Sequence, residues 1–243
     1  MTVDLKKIVF FDLETASYYK TLDEFRLSDP NLFKLWQKRS EYLRDRFDEN
    51  KNLSDEELYQ QKAGLSPEFS RIICASFGRV ESSNQVDSEL KLAMKSYSGD
   101  IEREILDGIF QVFNKFKGFK FCGHNVKRFD VPMMCKRLII NGFSLPTELQ
   151  IQDKKPWEIP FLDTSELWSF GAWQESFTSL ELLCTVLGIE SSKEEINGSQ
   201  VNSAYWNGKL DEITKYCESD VYASAKCFMK FNNIPDVPHH YSK

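Results

Sequence analysis

Two carboxylates stand one residue apart at the end of an apolar run near the N-terminus. In "KKIVFFDLETASYY", Asp12 and Glu14 follow Ile8 to Phe11. Side chains two positions apart on a strand point to the same face, so a strand here sets the two acids side by side. Like charges at that spacing disfavour each other's ionisation. Water at a strand end relieves the repulsion, and so does a cation held between the acids. The triplet D-x-E is too common to decide between these readings alone.

Two further acids come in segments of the right kind. Asp130, in "GHNVKRFDVP", sits where a short strand leads into a helix, although Lys127 and Arg128 beside it also allow a plain ion pair. Asp220, in "YCESDVYASA", lies four residues after Tyr216, so both project from one helix face. Val221, Ala223, Ala225 and Phe228 give that region a packed side, where an unpartnered carboxylate is costly. Glu218 points elsewhere and reads as a solvated surface residue. Four carboxylates with few histidines make an oxygen-only donor set, which suits Mg²⁺ or Mn²⁺ before zinc. Two such ions roughly 4 Å apart activate a water and steady a leaving oxygen in phosphodiester cleavage. Their charge also explains how the acids could crowd together at neutral pH.

The elements that must position these acids follow from local patterns. "KKIVFFDLET" reads as the first strand. From about Tyr18 to Ser66 a polar, aromatic-dotted stretch carries Leu32, Leu35, Trp36, Tyr42 and Leu43 at helical spacing, and Ser54 with Glu57 forms a capping box. It reads as a helical insertion that walls a channel, contacts a partner or covers the sheet. "SRIICASFGRV" and "ELKLAMKSYS" are strand-like. Gly99-Asp100 caps the helix "IEREILDGIFQVFNKFK", "FKFCGHN" is a short buried strand, and "VPMMCKRLIING" is a helix with Pro132 in its first turn. "SLPTELQIQDKKPWEIP" is a loop, with Trp157 placed in the core ahead of a stacking contact beside Lys154 and Lys155. "FLDTSELW" reads as the last strand. A helix "TSLELLCTVLG", a polar loop "SSKEEINGSQ" and a long helix from Asp211 to Phe231 complete the chain. The expected class is α/β, a mixed sheet flanked by helices in one domain.

Bulk properties narrow the field. The chain has 243 residues, 41% hydrophobic and 28% charged, normal for a globular protein. No apolar run is long enough for a membrane span, and no signal peptide is visible; these point to the cytoplasm. The six cysteines form no C-x-x-C pair and read as reduced, buried thiols. Three histidines are too few for most zinc hydrolases. The net charge of −6 argues against a broad duplex footprint. Seven bases nevertheless fall between Lys115 and Arg137 against the single acid Asp130, either a solvated helix face or a local anion-binding surface.

"FDLET", "HNVKRFD" and "YCESD", in that order, resemble the three exonuclease motifs of the DEDD superfamily of 3′-to-5′ exonucleases, tyrosine subclass. The resemblance is closest to bacterial stand-alone exonucleases related to the proofreading domain of family B DNA polymerases. It extends over most of the chain, including "KKPWEIPFLDTSELW", "TSLELLCTVLGI" and Tyr205-Trp206. The ordered triple is specific; each part alone is weak. The resemblance implies an RNase H-like fold. It also implies that Asp12, Glu14, Asp130 and Asp220 bind two divalent cations, Mg²⁺ or Mn²⁺, with Asp12 bridging both. Tyr216 takes the place that a histidine, at the position of Lys215, holds in the other subclass. A phenol with a pKa near 10 is a poor general base at pH 7, so Tyr216 is expected to orient a water rather than deprotonate it.

The same carry-over puts Leu13, Thr15, Asn125 and Phe129 against the terminal nucleotides, Phe129 by stacking. Leu13 and Phe129 also read as core, and Asn125 as a loop cap. His124 reads as a structural histidine, and Asp163 as a strand-end hydrogen-bonding group ahead of a residue behind the metals. The implied substrate is the 3′ end of single-stranded nucleic acid, DNA ahead of RNA, cut to nucleoside monophosphates. A separate DNA polymerase or repair partner is implied if the chain proofreads in trans, and no membrane. A catalytically silent nucleic-acid-binding or scaffold module of the same fold is the alternative. Such modules usually lose an acidic ligand, and all four acids and the tyrosine are present here. A two-carboxylate glycosidase leaves the helix-borne Tyr-x-x-x-Asp unexplained.

Overall fold

The first strand, β1 (Ile8–Ser17), lies inside a six-stranded mixed sheet. The computed structural model describes residues 4–82, 90–172, 178–189, 196–235 and 239–240. β2 (Ser70–Ser82) and β3 (Leu90–Ser98) continue antiparallel from β1 on one side, followed by the two-residue β6 (His239–His240). On the other side β4 (Lys120–Gly123) and β5 (Phe161–Asp163) run parallel to β1. This is the mixed RNase H-like sheet expected, in the order β5-β4-β1-β2-β3-β6, with β6 added to the five strands foreseen, so that "FLDTSELW" is not the last strand.

The uninterrupted apolar run of β1 reflects cover on both faces, the usual reason a strand does not alternate. Val9, Phe11 and Leu13 face a core with Ile105, Ile109 and Phe113 of α4 (Glu102–Lys115) and Val131 and Leu138 of α5 (Asp130–Ile140). Ile8 and Phe10 face Val221, Ala225 and Phe228 of α9 (Leu210–Phe231). The Phe10 and Phe228 rings meet edge to face at 5.8 Å. Gly78, paired with Phe10, allows this close seat, because a Cβ there would lie 2.8 Å from Val221 Cγ1. Ala16, further along the same row, meets Ile213 and Cys217 near the start of α9. Asp12 and Glu14 fall between, on the α9 side of the sheet.

Between β1 and β2 the insertion forms α1 (Leu22–Ser28), α2 (Pro30–Arg46) and α3 (Asp55–Lys62). Phe25, Trp36, Leu43, Tyr59, Ala63 and Phe69 build its small core. The Ser54–Glu57 capping box is present. Trp36 and Leu43 point inward as the spacing predicts, whereas Leu35 and Tyr42 are exposed.

Several expectations are corrected. Asp100 does not cap α4: Ile101 holds the N-cap position and makes no side-chain cap. The strand in "FLDTSELW" stops at Asp163, whose carboxylate accepts from Ser165 N and starts α6 (Thr164–Ser169). Trp157 is not core but 67% exposed, with Lys155 Nζ 5.4 Å from its ring centroid. Glu218 is not a free surface acid; its Oε1 accepts from Ser96 Oγ of β3 at 2.6 Å. The expected α7 (Leu180–Leu187) is present, and α8 (Val201–Trp206) was not anticipated. Of the polar loop, residues 191–195 lie outside the described residues, and Gly198–Gln200 form a 3-10 turn. All six cysteines are free thiols, and only Cys135 is not fully buried. No helix among the described residues is long and apolar enough to cross a membrane.

A buried ion pair ties the layers together. Glu102 accepts from Ile72 N of β2 at 2.9 Å and from Arg137 Nε of α5 at 2.8 Å. Arg137 also donates to the Pro67 carbonyl at 2.8 Å, where the insertion rejoins the sheet. Both residues are buried, so removing one partner strands a charge. Arg137→Ala is expected to cost about 3–5 kcal/mol, whereas Lys51→Ala, which breaks an exposed pair with Asp48, should cost less than about 1 kcal/mol. Urea unfolding of the two variants checks the contrast.

Candidate metal centre and active-site cleft

The sheet opens where β1 and β4 part. Their pairing ends at Phe10–Cys122, and Gly123 marks the divergence. A Cβ at Gly123 would lie 2.6 Å from Phe11 O and 2.3 Å from Val126 Cγ1, so this close passage needs glycine. The backbone then turns through Asn125, whose φ of 60° is left-handed, a conformation asparagine tolerates better than most residues. Asp163 at the end of β5 holds the turn, accepting from Asn125 N at 2.8 Å and Lys127 N at 3.0 Å. It is thus the strand-end hydrogen-bonding group expected.

That turn delivers Asp130 to the first turn of α5. Its Oδ1 accepts from Leu13 N at 3.0 Å, taking a donor that β4 no longer uses. No ion pair forms with its basic neighbours: Lys127 pairs with Glu166 at 2.6 Å, and Arg128 is exposed. A β-bulge lies next to Glu14, where the register with β2 shifts between Glu14 and Thr15. Bulges of this kind re-aim side chains beside sites.

Asp12, Glu14 and Asp220 each offer a ligand oxygen, and these oxygens lie within 4.8 Å of one another. Asp130 lines the same cleft but stands outside that group. The structure therefore brings three of the four expected ligands into one cluster, with the fourth alongside and one of its oxygens engaged by backbone. Asp12 Oδ2 is buried and has no hydrogen-bond partner. A buried carboxylate oxygen without a donor is unfavourable, and hard divalent cations take such oxygens. The donor set thus fits a divalent cation.

Electrostatics agree. Burial pushes the Asp12 carboxyl well above its usual range, and the charges of Asp130, Glu14 and Asp220 add to it. Glu14 is raised well above its range by burial and then by Asp220. Asp130 is raised to about 7, chiefly by burial, with the backbone bond from Leu13 opposing. The Tyr216 phenol is driven far above its ordinary value by burial, then by Asp220, Glu14 and Asp12, and it hydrogen-bonds Asp220. Tyr216 therefore keeps its proton at neutral pH, which excludes it as a base and suits it to orienting a water.

All nine residues expected at the site line one cleft of about 890 Å³. Leu13 is also buried core, and Phe129 is half-buried against the same core. Thr15 Oγ1 donates to Gly64 O at 2.7 Å and so anchors the insertion. His124 is satisfied, with Nδ1 and Nε2 each 2.9 Å from Thr164 Oγ1 and Thr178 O. Gln60, Lys62, Gly64 and Leu65 of the insertion, and Gly198, Ser199 and Asn202 from the segment leading into α8, also line the cleft but were not foreseen. Asn202 joins these walls: it accepts from Ser17 N at 2.9 Å and donates to Gln60 O at 2.9 Å. Trp206 Nε1 donates to Ser17 Oγ at 3.0 Å, a contact to which only the "YW" pair gave a hint.

Residues 65–237 match the family described as "Predicted 3'-5' exonuclease related to the exonuclease domain of PolB". The chain belongs to this family. Asp130, Tyr216 and Asp220 fall within the match, and Asp12 and Glu14 precede it. The fold of this PolB-exonuclease relative is similar to that of the family B DNA polymerase from the hyperthermophilic archaeon Pyrobaculum calidifontis. The TM-score is 0.51 at 13% identity, over 92% of this chain and 24% of the polymerase chain. At that identity the likeness is one of fold, and the chain spans about a quarter of the polymerase's length. No curated protein matches the chain.

The raised carboxyls set a pH dependence. Folded Asp12, Glu14 and Asp130 hold protons that the unfolded chain releases near pH 4, so the cluster's contribution to stability falls as pH rises from about 4 towards 7. In chelator, the melting temperature should drop between about pH 5 and 8, and Asp12→Asn should flatten that drop. Millimolar Mn²⁺ should raise the melting temperature more at pH 8 than at pH 5. Thermal melts across that range check all three.

Proposed function

We propose that this chain is one exonuclease domain, carrying an inserted helical segment, that removes nucleotides from the 3′ end of single-stranded nucleic acid. The observation that carries the reading is the set of three convergent carboxylates, Asp12, Glu14 and Asp220, in which Asp12 has a buried oxygen without a donor, beside a protonated Tyr216. The retained acids speak against a silent module, which would have no need to keep such a repulsive cluster. The fold match to a DNA polymerase favours DNA over RNA.

In this reading Asp12, Glu14 and Asp220 hold two divalent cations, Mg²⁺ or Mn²⁺, with Asp130 completing the set. When bound, the ions supply Lewis-acid stabilisation of charge on the phosphate and lower the pKa of water. The remaining work falls to the protein. Phe129 offers apolar surface to the terminal bases, and Leu13, Asn125 and Thr15 line the cleft where the last sugar and phosphate sit. The Tyr216 phenol oxygen positions the attacking water. Water oxygen bonds to phosphorus as the P–O3′ bond breaks. The water gives up its protons to solvent, the leaving 3′-oxygen takes one up, and a nucleoside 5′-monophosphate departs. The six free cysteines suit the reducing cytoplasm, and a separate polymerase would be the partner for proofreading in trans.

Single-stranded DNA and RNA, labelled at the 3′ or the 5′ end and incubated with Mg²⁺, Mn²⁺ or chelator, test the proposal. Metal-dependent shortening from the 3′ end is expected, with DNA cut faster. No degradation of either polymer, with binding retained, would overturn it. Asp12→Ala and Asp220→Asn should each lower the rate by on the order of 10³ or more. Tyr216→Phe should lower it by about 10–100-fold, the scale of a positioning group.

A further inference from the structure

The cleft that holds the carboxylates does not end at Phe129. Phe129 and Leu65 line both that cleft and a second groove of about 510 Å³. Phe129 enters α5, and Leu65 ends the 3-10 turn after α3, so the two cavities meet between sheet domain and insertion. Leu65 is 57% exposed, leaving apolar surface at the junction that Phe129 also lines.

The groove beyond is basic, on a chain whose net charge is −6. Arg39 comes from α2, Arg128 from the turn before α5 and Lys136 from α5, against one acid, Glu68. All three bases are exposed. Lys136 Nζ is 3.6 Å from Glu68 with both side chains about half exposed, a loose pair worth little in water. The Arg39 guanidinium rests over the exposed Tyr42 ring at 5.2 Å. The run from Lys115 to Arg137 is therefore not one anion-binding face, since Arg137 is buried against Glu102 and Lys127 is tied to Glu166. Only its Arg128 and Lys136 reach this groove, and there a third base from a distant segment joins them.

We propose that the groove between the insertion and α5 is the exit path of the substrate strand. Nucleotides upstream of the 3′ end pass between Leu65 and Phe129, and their phosphates lie on Arg39, Arg128 and Lys136. The inference rests on the exonuclease reading for what occupies the cleft. Charge and continuity select the occupant: a polyanion leaving the carboxylate cleft past the apolar junction meets three exposed cations against one acid. Single strands are held in this way, by cationic grooves that follow the backbone and apolar surfaces that meet the bases. The insertion would thus build half of the path.

The test uses the whole chain with Arg39→Ala, Arg128→Ala and Lys136→Ala combined, and Arg128→Ala alone as a milder variant. Binding of a fluorescent single-stranded 12-mer DNA is read by anisotropy in chelator, across a salt series. Three lost phosphate contacts should weaken binding on the order of 100-fold at 0.1 M salt and reduce the log–log salt slope by about 2. Cleavage of a dinucleotide, too short to reach the groove, should stay at the wild-type rate. A triple variant that binds and cuts the 12-mer as wild type does, with the same salt slope, overturns the path and leaves the exonuclease reading intact. A wild type that cuts nothing, with binding lost in the triple variant, supports the path and contradicts that reading.

Discussion

Carboxylate oxygens from Asp12, Glu14 and Asp220 lie within 4.8 Å of one another, and Asp12 Oδ2 is shut off from both water and donors. Each charge raises the cost of the others, and burial removes the solvent that would screen them. Such a cluster persists only if the surrounding structure holds it rigidly. Here it does. β1 is clamped by α4 and α5 on one face and α9 on the other, and it pairs with β2 and β4 at its edges. Asp12 and Glu14 cannot swing apart without moving the central strand. Asp220 sits on a 22-residue helix whose Val221, Ala225 and Phe228 pack against that strand.

The opening of the sheet follows from the same constraint. β4 leaves β1 at Gly123, and the freed Leu13 N–H is taken by Asp130. One backbone donor thereby fixes the position of the fourth acid and removes an unsatisfied group from the core. Asp163 then holds the intervening turn. The insertion closes the other side, with Thr15 bonded to Gly64 and Asn202 bridging Ser17 to Gln60. A cleft formed in this way has a rigid floor and a wall borrowed from a helical segment with its own aromatic core.

Much of this was legible from residue order. The first strand, the capping box at Ser54, the α9 face carrying Tyr216 and Asp220, and the four acids all follow from period-two and period-3.6 spacing with the ordered motifs. Contacts set by tertiary packing were not. Trp157 looks like core by residue type, yet it is left mostly exposed. Glu218 looks solvated from its place on the helix, but β3 supplies Ser96 as its partner. Asp100 looks like a cap, yet Ile101 holds that position and Glu102, the first residue of α4, turns inward to Arg137. The cleft walls at Gln60, Lys62, Ser199 and Asn202 carry no motif, because their place depends on how the insertion folds back over β1. That the four acids are not equivalent was also beyond spacing; the Leu13 amide is what distinguishes Asp130.

A divalent cation held by these carboxylates would relieve their mutual repulsion. Calorimetric titration of the metal-free protein with Mn²⁺ near pH 7, repeated in buffers of different ionisation enthalpy, measures binding and proton release together. Saturable binding with release of protons is expected, since Asp130 is raised to about 7 and Asp12 and Glu14 are raised as well, with loss of that binding in Asp12→Asn. Binding that is absent in the wild type, or unchanged in Asp12→Asn and without proton release, would contradict it.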